Sequence, residues 1–497
     1  MEVPPLAVVP GHSLGPLHLG ASLHEVLTII KESKTRFPQI DFHYDRNNPL
    51  TIPVAVTLPQ NGFRLRFDGA DQRLRIIEIM DFKKIRLAYK GSELVKNSST
   101  DAGGPAFKRI YQIFGASYPG EYVPPNKGSA MGTYVLSWAG IAFTFPLQHA
   151  AWAPHKDHVS MLGSSAAAPA TVMALFEGNS WPEARKELFV KTPSGPRSSA
   201  LATRPRDNLP AEIELANVHG NGRVEFKRRP PAATFSVVLN QTTPQDLVTE
   251  LGAPDATHKR DGDALPAAEQ QPAHRRASSM SNGRAHHSGS GPSSYSSTGT
   301  DTFDADFDSG DADEDPSDRA SRETFWCYFN HGMDILVGPP SEESSHPTTA
   351  ANGQTPLLSS PHLVVTKVII HGNVPGSYAF NRHRRLRWTL SLPNIPAYVS
   401  PGDLSSETKF ESDLKPTLLQ HFAGTWPESE MGRGKVVNRT WGGGSPSESG
   451  FFLPDAEQDL VEGGGSEQWL GNTRLFAFPG LGFEVLENGA VGALTVY

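Results

Sequence analysis

Apolar positions along this chain fall into two rhythms, one matching the 3.6-residue turn of a helix and one matching the two-residue repeat of a strand. Leu19, Leu23, Val26, Leu27 and Ile30 share one helical face. Ser22, with Glu25 three residues on, is a capping-box pair that satisfies otherwise orphan backbone N–H groups, so a helix is predicted over about 22–33. Alternation follows in Val54, Val56 and Leu58, then an Asn61-Gly62 turn, then Leu65 and Phe67, with a third strand from Leu74 to Met80. Together these make one α-β-β-β unit.

The same succession is predicted three more times. Phe107, Ile110, Tyr111 and Phe114 have helical spacing, Gly115 closes that helix, and Val135 to Phe145 turns at Ala139-Gly140 ahead of a strand at Val172 to Phe176. Thr243 as N-cap and Pro244 at the first helical position start a third helix with Leu247 and Leu251 inward. Its hairpin, Trp326 to Val337, turns at His331-Gly332, and its last strand is Val364 to Ile370. The fourth unit begins with Leu414, Leu418, Leu419 and Phe422 and resumes at Leu475 to Phe478, Phe483, Val485 and Leu494 to Tyr497. The expected fold class is α+β: repeated α-β-β-β units whose antiparallel sheets pack on short helices.

Three stretches break both rhythms and concentrate Ser, Gly, Pro and acids, so they are predicted to be disordered insertions: 258–322, 339–360 and 428–468. The expected organisation is an N-terminal pair of units over 1–190, then the third unit and the start of the fourth over 191–257 and 323–427. Strands in 469–497 complete the fourth unit.

Composition sharpens this division. Apolar residues are 37% of the 497, with 46 Gly and 42 Pro, which is low for a chain folded throughout. The net charge is −8, and residues 301–323 alone hold ten acids against Arg319 and Arg322, enough to account for all of it. The remainder mixes both signs without a basic face, so nucleic acid is not an expected partner. Cys327 is the sole cysteine and cannot form an internal disulfide. With no leader or membrane-spanning stretch read in the chain, the expected location is cytoplasmic.

Candidate chemistry is sparse. Gly11-His12-Ser13-Leu14-Gly15 matches the nucleophile elbow of serine hydrolases, but an elbow needs a strand before it and a helix directly after it, and here Pro16 follows with the next helix starting near Ser22. No catalytic residue is assigned. Asp304, Asp306 and Asp308 lack the turn glycine and flanking helices of a calcium loop, and His155, His158, His286 and His287 lie in polar loops without partners at zinc spacing and read as surface histidines, so no metal and no cofactor are expected. The segment His371-Gly-Asn373-Val-Pro-Gly-Ser-Tyr378-Ala-Phe380-Asn381 packs turn formers, amides and aromatics together, and Arg382, His383, Arg384, Arg385 and Arg387 follow it. Asn373, Tyr378, Asn381, Arg382, Arg384 and Arg385 are therefore candidate binding residues for an acidic partner or anionic lipid headgroups. The alternative is a long turn with its arginines on a solvent-facing strand.

At this segment the chain resembles the phagophore (phagosome) assembly factor family, formerly an uncharacterised protein family. Further pieces that carry the resemblance are Leu65-Arg-Phe67-Asp68 with Gln72-Arg73-Leu74 and Glu78, then Phe114-Gly115 with Pro119-Gly120-x-Tyr122, Gly178-Asn179-Ser180, and Phe483-Glu484-Val485 to Tyr497. The strand at Met333-Asp334-Ile335 agrees with the family pattern only in part, and the insertions are longer. The resemblance implies a non-enzymatic scaffold or adaptor acting in autophagy at the forming autophagosome. It also implies a β-propeller (WD40-like) partner that associates with phosphoinositide-bearing membrane, so that membrane contact is indirect. A trans-Golgi or vesicle trafficking factor is the alternative, and a serine hydrolase using Ser13 is the disfavoured one.

Overall fold

Each of the four predicted amphipathic helices is present and leads into strands. The computed structural model describes residues 4–95, 103–127, 129–191, 193, 212–259, 323–340, 362–393, 404–437 and 471–497. The insertions expected at 258–322 and 339–360 lie outside the described residues except at their edges, as do most of 428–468, His286, His287 and the Asp304 to Asp308 run. Chain contacts group Met1–His258 with Thr324–Tyr497 as one compact unit, separate from Lys259–Glu323.

The first helix, Leu23–Glu32, begins where the Ser22 hydroxyl accepts from the Glu25 N–H at 3.1 Å, and it buries Leu23, Val26, Leu27 and Ile30. Each such side chain taken from water contributes on the order of 2 kcal/mol. The strands Asp41–His43, Val54–Leu58, Phe63–Phe67 and Leu74–Ile79 follow as a meander. Helix Phe107–Phe114 then precedes Glu121–Val123, Met131–Trp138, Ile141–Gln148 and Val172–Phe176. The two meanders join through their last strands, with Met173 opposite Ile79 and Phe176 opposite Ile76, to make one antiparallel eight-stranded sheet.

The later part of the chain gives a second eight-stranded sheet with the same strand order. Helix Pro244–Leu251, closed at its start by a Thr243–Asp246 capping box, leads into Ala256–Lys259, Thr324–Tyr328, Met333–Gly338 and Val364–His371. Helix Lys415–His421, preceded by the wider turn Phe410–Leu414, leads into Lys435–Val437, Thr473–Phe478, Leu481–Val485 and Val491–Val496. Here Val368 pairs with Val496 and His371 with Ala493.

The fold is α+β with mostly antiparallel sheets and short helices. Several expectations need correction. Each helix is followed by four strands rather than three, the extra one being the short edge strand at 41–43, 121–123, 256–259 or 435–437. The first ten residues of the expected insertion at 428–468 are ordered, because Met431 is buried and Lys435–Val437 pairs with Thr473–Leu475. His158 is not a surface histidine: it is buried at the start of the short helix His158–Leu162.

Two further sheets were not anticipated. Ile213–His219, Arg223–Arg228 and Phe235–Val238 form a meander, and Arg387–Ser391 adds to it in parallel beside Ile213–His219. Its apolar face shares a core with the second large sheet, including Phe226, Trp388, Phe410 and Phe483. The other is a small sheet of Leu17–His18, Ser13–Leu14, Leu6–Val9, Leu87–Tyr89 and Ser92–Glu93, packed into the core of the first large sheet.

Candidate functional site

The residues singled out in the sequence converge on the contact between the two parts of the chain. The turn after Phe67 is built by Asp68, whose carboxylate accepts from the Asp71 N–H at 2.6 Å and the Arg73 N–H at 3.1 Å and pairs with Arg75 at 2.6 Å. This closure drives Gln72 to φ +51°. Its buried side chain then meets Asn373 in a reciprocal amide pair: Gln72 Nε2 donates to the Asn373 carbonyl at 2.9 Å, and Asn373 Nδ2 donates to Gln72 Oε1 at 2.8 Å. Asn373 Oδ1 also accepts from the Asn381 N–H at 2.7 Å, which closes the loop between them. Phe380 of that loop packs on Phe42 with ring centroids 5.3 Å apart, and a Cβ on Gly376, at φ +79°, would collide with the Tyr44 ring.

The arginine run continues this contact. Arg385 has a fully buried side chain that donates to the Ala70 carbonyl at 2.6 Å and the Gly372 carbonyl at 2.9 Å and pairs with Glu407 at 3.1 Å. Arg384 pairs with Glu212 at 2.8 Å and donates to the Ile213 carbonyl at 2.6 Å. Glu212 also pairs closely with the buried Arg73. Arg387 joins Glu407 at 2.9 Å to Asp71 at 3.2 Å. Five arginines thus meet four carboxylates, Asp68, Asp71, Glu212 and Glu407. Burial raises the carboxyls of Asp71 and Glu407, but their arginine neighbours outweigh it and hold both below the usual range.

The expectation of a basic surface at Arg384 and Arg385 therefore does not fit this fold. Both are buried, and their guanidinium groups bond to internal carbonyls and carboxylates. Asn373 and Asn381 are also buried, shaping the loop. Of the six candidate residues, Tyr378 and Arg382 are the ones that retain partial exposure, with the Arg382 guanidinium 4.4 Å above the Tyr378 ring.

A second cluster, which sequence spacing did not reveal, lies beside this loop. His371 Nε2 is 2.9 Å from one oxygen of Asp334, and His383 Nε2 is 2.8 Å from the other. The two imidazoles stack with centroids 3.8 Å apart. Burial raises the Asp334 carboxyl, but the hydrogen bonds from both histidines hold it well below the usual range. Burial and the adjacent His371 push the His383 imidazole down to about 4. Cys327, opposite Asp334 on the neighbouring strand, has its thiol pushed up to about 12 by burial and by Asp334, so it is not a poised nucleophile.

Ser13 sits buried on a two-residue hairpin strand, with a strand rather than a helix following, so the geometry of a nucleophile elbow is absent there. A cleft of about 690 Å³ opens nearby, bounded by His12, Arg75, Gly140, Asn179 and Glu183. No helix among the described residues is long and apolar enough to cross a membrane.

The fold and its charged contact define a large α+β protein whose family-like motifs hold its own parts together. The chain belongs to the phagosome assembly factor 1 (PHAF1) family, whose model matches residues 13–283 and 310–497. A PHAF1 protein of Arabidopsis thaliana is 22% identical over 501 residues, covering 98% of this chain and 92% of the relative. One from Drosophila melanogaster is 25% identical over 425 residues, covering 82% and 79%. No solved structure matches. The family is named for phagosome assembly rather than for a catalysed reaction, which fits an autophagy-related role.

Proposed function

We propose that this protein is a non-enzymatic scaffold or adaptor that acts at the forming autophagosome in complex with a β-propeller protein. In this reading it is cytoplasmic and is recruited to phagophore membrane, with phosphoinositide contact supplied by the partner. The observation that carries the proposal is membership of the phagosome assembly factor family over most of the chain. Two large sheets with one strand order and four helix-led strand runs support a scaffold built from repeated units. The partly exposed pair Tyr378 and Arg382 is the remaining candidate contact from the basic segment.

Affinity purification of the tagged protein from nutrient-starved cells, with mass spectrometry of the co-purifying proteins, tests this. A β-propeller protein recovered with wild type and lost with Arg382→Glu supports the adaptor reading and locates its contact. Recovery of Golgi trafficking proteins alone assigns the chain to vesicle traffic instead, and recovery of no partner by well-folded bait refutes the proposal.

A further inference from the structure

We propose that Asp334, His371 and His383 bind one divalent first-row transition-metal ion of the zinc type. The three donors come from separate segments: the strand Met333–Gly338, the last residue of the strand Val364–His371, and the loop after Asn381. Their ligand atoms lie within 4.8 Å of one another. The histidine nitrogens stand 2.9 and 2.8 Å from the carboxylate oxygens. Neighbouring ligands around an ion with bonds of about 2.1 Å are about 3 Å apart, so small side-chain rotations bring all three onto one centre.

The local charge balance points the same way. Among the described residues, the ion-pair partners of Asp334 are His371 and His383, and no Lys or Arg pairs with it. Cys327 lies opposite it on the neighbouring strand. A largely buried carboxylate with no Lys or Arg partner is one that a bound cation compensates directly. The side chains of His371, Asp334 and His383 are 17%, 15% and 10% exposed, which leaves an ion a route from solvent.

Each ring ligates as a neutral imidazole, and any second proton it carries passes to solvent as the ion enters. In the metal-free state each Nε2–H donates to Asp334. On binding, each Nε2 turns its lone pair to the ion while the ring proton moves to Nδ1, so two neutral imidazoles and one carboxylate ligate. Water fills the remaining positions. Cys327 stays protonated and outside the ligand set. The ion then clips the basic loop to the sheet beneath it.

The test uses the full-length protein stripped with a chelator and titrated with Co²⁺, followed by Zn²⁺ in competition. One equivalent of Co²⁺ is expected to give a visible absorption band that Zn²⁺ abolishes, with a rise in the thermal midpoint. Asp334→Asn and His383→Gln are expected to weaken binding at least tenfold while keeping the wild-type circular dichroism spectrum. Because the chain carries 18 His, the double change His286→Ala and His287→Ala serves as a control and should leave binding unchanged. X-ray absorption of Zn²⁺-loaded wild type needs no variant and decides the matter if the variants misfold. Two imidazoles with oxygen ligands support the site; a zinc–sulfur shell, no stoichiometric binding, or unaltered affinity in both folded variants overturns it.

Discussion

Replacing Arg385 by alanine should destabilise the protein far more than replacing its near neighbour Arg382. Arg385 is fully buried and connects Ala70, Gly372, Ser406 and Glu407, all four more than ten residues away in sequence and drawn from three separate segments. Its removal leaves three carbonyls, those of Ala70, Gly372 and Ser406, without that donor and takes one arginine from Glu407, which keeps Arg387. Breaking one partner of a buried pair costs about 3–5 kcal/mol, and the same order is expected here. Arg385→Lys keeps the charge, but a compact ammonium cannot span the same acceptors, so an intermediate loss of about 1–3 kcal/mol is expected. Arg382→Ala removes one partly exposed cation–π contact, worth about 0.5–1 kcal/mol. Urea unfolding followed by tryptophan fluorescence measures the series, since Trp388 is buried three residues from Arg385. If Arg385→Ala shifts the midpoint no more than Arg382→Ala does, at equal slope, the assignment of Arg385 to the internal contact is wrong.

Other outcomes follow from burial and pairing. Deletion of 491–497 removes a strand that lies between Val364–His371 and Leu481–Val485, so limited proteolysis should find the second large sheet unformed. Phe483→Ala empties a fully buried position against Phe410, Phe478 and Trp388 and should cost about 3–5 kcal/mol in urea unfolding. Burial and the positive charge of Arg384 push His331 down from 6.5 to about 4. The unfolded chain therefore binds more protons between those values, and stability is full above 6.5 and falls as pH drops toward 4. At about 1.4 kcal/mol per pH unit this amounts to up to about 3 kcal/mol, and His331→Gln should flatten that part of the stability profile.

Much of the fold is legible where local chemistry and periodicity agree. Ser22 and Glu25, Thr243 with Pro244, and the turns at Asn61-Gly62, Gly140 and Gly332 each mark an element boundary by capping or positive φ. The edge strands at 121–123 and 435–437 are three residues long and largely unburied, so no alternation announces them. The meander 213–238 did carry a signal, in the Asn221-Gly222 turn followed by Val224 and Phe226, which face inward. The arginine run was misplaced for a different reason. A guanidinium is read as solvent-facing unless its acceptors are known, and those of Arg385 and Arg387 include Ala70 and Asp71, more than 300 residues away. Asp334, His371 and His383 lie 37 and then 12 residues apart, separations that no metal-ligand motif describes.

The imbalance of the buried network makes its carboxylates scarcer than its arginines. Glu212 serves both Arg73 and Arg384, whereas Arg73 has Glu212 as its close partner and a long 3.4 Å contact to the Gly20 carbonyl. Arg73→Met keeps much of the side-chain volume, leaves Glu212 paired with Arg384, and brings the network to four charges of each sign. Because Glu212 keeps Arg384 and the apolar side chain fills most of the vacated volume, the cost of Arg73→Met should fall below the roughly 3–5 kcal/mol of breaking a buried pair outright. Glu212→Gln, though isosteric, removes the carboxylate that two buried arginines share, and should cost about 3–5 kcal/mol. Urea midpoints for the two variants decide the point. A larger loss for Arg73→Met than for Glu212→Gln would mean that the arginines, not the acids, limit this contact. If the order holds, a change at any of these four carboxylates weakens the fold itself, and the proposed partner contact has to be mapped with substitutions at partly exposed residues such as Tyr378 and Arg382.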